Sequence, residues 1–85
     1  MVEERQVGRI LHYYSKIGVA VIQLTDTLKI GDQIRISGHT TDFSQQVDSM
    51  QSEHKPIKKA DKGETIGLRV EQRVREGDIV YKTEE

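Results

Sequence analysis

The sequence predicts an all-β fold, a small closed six-stranded Greek-key-like barrel. Three observations lead there. Val and Ile supply 17 of the 85 residues, against four Leu and two Ala. Branching at Cβ restricts χ1 in a helix and packs well on a pleated sheet. Seven glycines, from Gly8 to Gly77, are spread along the chain like the turns between short strands. One small device also recurs. Leu28-Lys-Ile-Gly-Asp-Gln-Ile and Val74-Arg-Glu-Gly-Asp-Ile-Val each carry an apolar residue, a charged residue, Gly-Asp and a β-run, and Lys62-Gly63-Glu64-Thr-Ile66 is a looser third copy. Each brings the chain through a tight turn into a strand. Six strands in so short a chain cannot leave long apolar edges exposed, and closure removes the edges. A barrel of this size is filled by its own side chains and offers no ligand cup.

The elements follow in order. Residues 6–14 read as a first strand and Ser15-Lys16-Ile17-Gly18 as a turn. Residues 19–24, Val-Ala-Val-Ile-Gln-Leu, form a second strand that is apolar on both faces for most of its length. Such a strand is covered on both sides or has one face awaiting a partner. Thr25-Asp26-Thr27 breaks the run. Gly31-Asp32 then turns the chain into a strand with Ile34 and Ile36 inward, ended by Gly38. Residues 39–43 are a polar connection with one aromatic, and residues 44–52 a weaker strand in which Val47 and Met50, three apart, suggest a bulge. Residues 54–63 form a basic loop, where Pro56 makes a central strand unsuitable. Ile66, Leu68 and Val70 share one face of the next strand. Gly67 sits opposite them, at a point of close backbone approach. Residues 71–76 are a charged link pinned by Val74, and residues 77–82 are the last strand. Glu3-Glu4 and Glu84-Glu85 read as solvated tails.

Length predicts one domain over residues 1–85, with a core of about 6–82. Val, Ile, Leu and Phe make up 22 of 85 residues, above the level at which charged chains stay disordered. No cysteine is present, which removes disulfides, thiolate zinc sites and cysteine nucleophiles. No apolar run approaches a membrane span, and Met1-Val-Glu-Glu-Arg does not begin a signal peptide. The expectation is a cytoplasmic protein. Thirteen basic residues against 14 acidic ones give a net charge of −1, unlike a dedicated nucleic-acid clamp.

Val7-Gly-Arg-Ile, Gly18-Val-Ala-Val-Ile-Gln-Leu24 and Leu28-Lys-Ile-Gly-Asp-Gln-Ile-Arg-Ile-Ser-Gly38, followed by Ala60-Asp-Lys-Gly-Glu-Thr-Ile-Gly-Leu68 and Val74-Arg-Glu-Gly-Asp-Ile-Val80, resemble the second domain of translational GTPases such as elongation factor Tu. The likeness covers about residues 6–82 and implies a six-stranded barrel. It does not extend to nucleotide binding. No G-x-x-x-x-G-K-[ST] phosphate loop is present, so neither GTP nor any other cofactor is expected. The family's acidic aminoacyl-tRNA contacts do not carry over, because Gly8-Arg9-Ile10 has no carboxylate. Similar barrels also end collagenase-like peptidases, some linked to RNA modification.

His12, His39 and His54 are too far apart to pre-position a metal site. Ser15, Ser44, Ser49 and Ser52 lack a nucleophile elbow. No metal and no catalytic residue is expected. The basic loop is the main candidate. His54, Lys55, Lys58, Lys59 and Lys62 would meet phosphates, with Tyr13, Tyr14 and Phe43 stacking on bases. The same lysines would equally serve to solvate a loop and guard an edge. Of the adjacent tyrosines, one ring should be buried and one exposed. Val19 and Val21, if outward, form an apolar strip for protein contact. Two readings follow. One is a non-catalytic module that contacts tRNA or rRNA. The other is a protein-docking accessory barrel of a larger enzyme such as a collagenase-like peptidase.

Overall fold

The structure is a computed structural model describing residues 3–84. These residues form strands and turns, with no helix among them. The ten strands are β1 Glu3–Tyr14, β2 Val19–Leu24, β3 Leu28–Lys29, β4 Gln33–Ser37, β5 Asp42–Gln46, β6 Met50–Ser52, β7 Lys55–Ile57, β8 Lys59–Ala60, β9 Thr65–Arg69 and β10 Ile79–Glu84. Eight of them pair antiparallel in the order β5-β4-β10-β1-β2-β9-β6-β7, and β3 and β8 form a separate ribbon. The all-β expectation therefore holds. The closed six-stranded barrel does not, because the end strands β5 and β7 do not pair.

The segment 30–32 makes isolated backbone bonds to the residues beyond the ends of both strands. Ile30 N–H donates to Lys58 C=O at 2.9 Å, Gly31 N–H to Val47 C=O at 2.9 Å, and Val47 N–H to Asp32 C=O at 2.8 Å. The chain turns at Gly31 before it can run alongside either edge, so no ladder forms. A side chain bridges elsewhere. Gln45 Nε2 donates to Arg69 C=O at 3.0 Å, and Gln45 Oε1 accepts from Glu71 N–H at 2.8 Å. This buried amide replaces a strand's own donor and acceptor at the edge of β5.

The repeated turn device has one geometry in all three copies. In residues 29–32, 61–64 and 75–78 the fourth N–H donates to the first C=O at 3.1 Å. The fourth residue's carboxylate also accepts from the first N–H, as in Lys29 N–H to Asp32 at 3.0 Å, Asp61 N–H to Glu64 at 2.6 Å and Arg75 N–H to Asp78 at 2.9 Å. The third position needs a positive φ, found at Gly31 (95°), Gly63 (91°) and Gly77 (90°). Glycine adopts it without steric cost, as a type II turn requires.

The core collects the inward side chains, including Val7, Ile10, Ile22, Ile34, Ile36, Ile66, Leu68 and Val80, with Val74 pinned beneath the charged link. Several sequence expectations need correction. Residues 44–52 are not one strand. The chain leaves β5 after Gln46 and rejoins the sheet at Met50, which lets Val47 and Met50 both point inward. Phe43 lies in β5 with its ring in the core, not in a polar connection. The basic loop contains two short strands, and Pro56 sits in β7 at the sheet edge, where a missing donor is tolerated. Glu3 and Glu4 are not tails, since their backbones pair with Glu84 and Thr83. Met1, Val2 and Glu85 lie outside the described residues.

Candidate docking site

An apolar groove lies on the outer face of β1, β2, β9 and β6. A bulge in β1 creates it. Ile10 pairs with Ile22, but His12 pairs with Val21, so Leu11 is an extra residue. The insertion reverses the alternation of β1. Tyr13, opposite Ala20, packs half-buried against the core, while His12 and Tyr14 turn outward beside Val21 and Val19. The adjacent pair predicted one buried and one exposed tyrosine, and the inward one, Tyr13, is half-buried. Which ring goes which way depends on the bulge.

Two cross-strand rows make up the face. Tyr14, Val19 and Arg69 form one, and His12, Val21, Gly67 and Gln51 the other. Gly67 carries no side chain in the second row, and Gln51 and Val19 lean over it. A Cβ there would lie 3.1 Å from Gln51 Cγ and 3.3 Å from Val19 Cγ1, so the close approach is by side chains and not by backbone. The result is a furrow lined by Tyr14, Ile17, Val19, Val21, Gly67 and the Glu53-His54 turn. Val19 and Val21 are half-buried, Tyr14 is 50% exposed and Ile17 is 63% exposed. Ile17 is held there by the turn, in which its N–H and that of Gly18 both donate to Tyr14 C=O, at 3.2 and 2.9 Å. The Tyr14 ring meets His12 edge to face, with centroids 4.5 Å apart, and His12 Nδ1 lies 3.3 Å from Glu76 Oε1. Glu53 and His54, at the tip of the β6–β7 hairpin, both have left-handed φ, 52° and 65°. That is the turn which Asn-Gly adopts most easily.

The structure does not gather the proposed nucleic-acid residues. His54 lies at the groove with Tyr14, whereas Lys58 and Lys59 line a different hollow with Lys29, Ile30, Pro56 and Ile57. Lys55 and Lys62 are exposed between and beyond them. Phe43, in the core, has no free face for a base. The outward placement of Val19 and Val21 does match the apolar strip. Sequence reading missed Ile17, Arg69 and Gln45. An isoleucine inside a turn was the available signal for the first, and Gln45 carried none. Among the described residues no group of three His, Asp or Glu side chains could hold a metal ion, and no helix is long and apolar enough to cross a membrane.

A charged clamp lies on β4 and β5, at the far end of the strand order from the groove. Arg35 binds Asp42 in a bidentate pair at 2.8 and 3.0 Å and reaches Glu4 at 3.2 Å. The hydrogen bonds from Arg35 hold the Asp42 carboxyl below its ordinary range, and those to Asp42 raise the Arg35 guanidinium. This clamp ties β4 and β5 to β1 and is structural in character.

Comparison with known proteins bears on the choice between the two readings. No protein-family model matches the chain. An uncharacterised protease of Methanocaldococcus jannaschii is 46% identical over 81 residues, covering 94% of this chain and 20% of the protease. Two collagenases of Porphyromonas gingivalis are 35% and 37% identical over 82 and 78 residues, which are 23% and 19% of their lengths. The chain thus spans about a fifth of the curated relatives it matches. Its fold matches the crystallised C-terminal domain of a Geobacillus thermoleovorans protein classed as a U32 peptidase. One such structure has a TM-score of 0.85 at 18% identity and covers 89% of this chain and 96% of that one. A second has a TM-score of 0.86 at 19% identity and covers 91% and 90%.

These matches agree with the likeness to barrels that end collagenase-like peptidases. They correct the translation-factor and RNA-binding expectations, because the relatives are peptidases and collagenases. The Gly-Asp turns shared with the translational GTPases are a way of entering a strand, and the chemistry of a turn does not specify a partner.

Proposed function

We propose that the chain is a non-catalytic docking module of a U32-type peptidase, and that it binds protein through the groove between Tyr14 and Gly67. The observation that carries this reading is the lopsided match. Nearly all of this chain aligns with about one fifth of each larger relative. A segment of that kind is an appendage with its own core, and its work is contact with other protein surface. The groove suits such contact. Exposed Ile17 and Tyr14 supply large apolar area, and Val19, Val21 and Gly67 supply a shallow floor of rigid strand backbone.

The test uses calorimetry. The partner is the part of the M. jannaschii protease outside its matched segment, titrated with this chain. Binding should persist at high salt, since burial of apolar surface is not screened. Val21→Glu places a charge on the groove floor and should weaken binding at least about tenfold. Gly67→Val, whose Cβ would crowd Gln51 and Val19 and reshape the groove floor, should do the same without adding charge. No binding, or binding indifferent to both changes, would refute the proposal.

A further inference from the structure

We propose that a second face, built from Lys29, Ile30, Lys58 and Lys59, binds an acidic segment of a protein partner that carries an apolar anchor. The inference rests on the docking reading for the class of partner and on separate residues for the site.

The charge arrangement carries it. Lys29 and Lys59 are directly paired across the β3–β8 ribbon, and like charges in that position repel. Lys58 adjoins Lys59 in sequence, and Lys55 and Lys62 flank that pair, all exposed. Ion pairs among the described residues use Arg5, His12, Arg35 and Lys82, and none uses these lysines. Asp48 lines the same hollow but is not within ion-pair distance of them. The ribbon is only two residues long on each side, so the repulsion falls where the fold has little ladder to resist it. A protein gains nothing in stability from this concentration of unpaired cations. A carboxylate-rich partner would relieve it.

The apolar half of the site lies between the cations. Ile30 is 38% exposed, and Pro56 and Ile57 form the adjoining wall. Its backbone is fixed, because Ile30 N–H donates to Lys58 C=O at 2.9 Å. A rigid aliphatic contact ringed by three lysines matches an aliphatic anchor flanked by glutamate or aspartate. A bare polyanion would use the lysines and ignore Ile30.

Fluorescence anisotropy tests this with a fluorescein-labelled peptide in which one leucine is flanked by three glutamates on each side. A control peptide has serine for leucine, and oligouridylate is the polyanion control. The wild-type chain should prefer the leucine peptide to both controls. The double reversal Lys29→Glu with Lys59→Glu should reduce its affinity at least about tenfold. Ile30→Ser should erase the preference for leucine over serine. Raising salt from about 0.15 to about 0.5 M should weaken binding as the screening length shortens. Lys29→Gln with Lys59→Gln guards against misfolding. It should also lose affinity, while its melting temperature holds or rises because the repulsion is gone. Val21→Glu, aimed at the groove, should leave the peptide's affinity unchanged. Equal binding of oligouridylate, indifference to Ile30→Ser, or a lower melting temperature in the glutamine variant would overturn the inference. So would a wild-type chain that docks the protease portion yet ignores the peptide, an outcome that leaves the docking reading intact.

Discussion

Glycines at single positions act in two different ways in this chain. Gly77 has φ 90° and open space where a Cβ would go, so its requirement is conformational. Gly77→Ala should destabilise the fold by about 1–2 kcal/mol, read as a lower urea midpoint with an unchanged slope. Gly38 is different, since a Cβ there would collide with the Asp78 carboxylate that completes the neighbouring turn. Charge at the residue scale matters at Asp26 and Asp42, both held below the ordinary carboxylate range, and at Asp42 the cause is a side chain. Arg35 lowers its pKa from an ordinary value of 3.8. A depressed folded pKa gives stability that is present above the unfolded value and lost as pH falls through the folded one. Stability measured from about pH 5 to about pH 2 should therefore drop less steeply in Asp42→Asn than in the wild type. The pair is exposed, so salt should shrink the difference. The turn residues were legible in the sequence because Gly-Asp is a local code. The Arg35 clamp was not, because Glu4 and Asp42 meet Arg35 only when three strands align.

Among the elements, β2 was read correctly to the residue, and its two apolar faces are now explained. Ala20, Ile22 and Leu24 enter the core, and Val19 and Val21 line the groove. The first strand was read with its correct end at Tyr14 but a start three residues late, and a strict period of two cannot show that Leu11 is an extra residue. The region 44–63 was the least legible. Its strands are two to five residues long, and β6 and β8 take part of their pairing from the distant β9 and β3. Gln45 shows the difficulty most clearly. Nothing about a glutamine in a polar run marks it as the bridge between β5 and the end of β9. Gln45→Leu keeps the approximate volume and leaves the Arg69 C=O and the Glu71 N–H without their partner. It should destabilise the protein by about 1–3 kcal/mol. Amide exchange at Glu71 should rise more than exchange in β1. Uniform exchange across the sheet would mean that Gln45 is only a core filler.

At the scale of the whole molecule, the sheet coils around one apolar interior and leaves its functional character to its outside. Fold class could be read from Val, Ile and recurrent turns, because those reflect local backbone preference. Closure could not, because it depends on whether two edge strands happen to align. The partner could not be read from a turn motif shared with translation factors, since such turns serve any protein that must enter a strand sharply. The groove and the lysine face are two surfaces with different chemistry, one apolar and one cationic. The most direct measurement is an amide NMR titration of the isotope-labelled chain with the portion of the M. jannaschii protease outside its matched segment, at low and at high salt. Shifts at Tyr14, Ile17, Val19, Val21 and Gly67 that persist at high salt are the predicted result. Groove amides that stay in place at both salt concentrations would contradict the docking assignment.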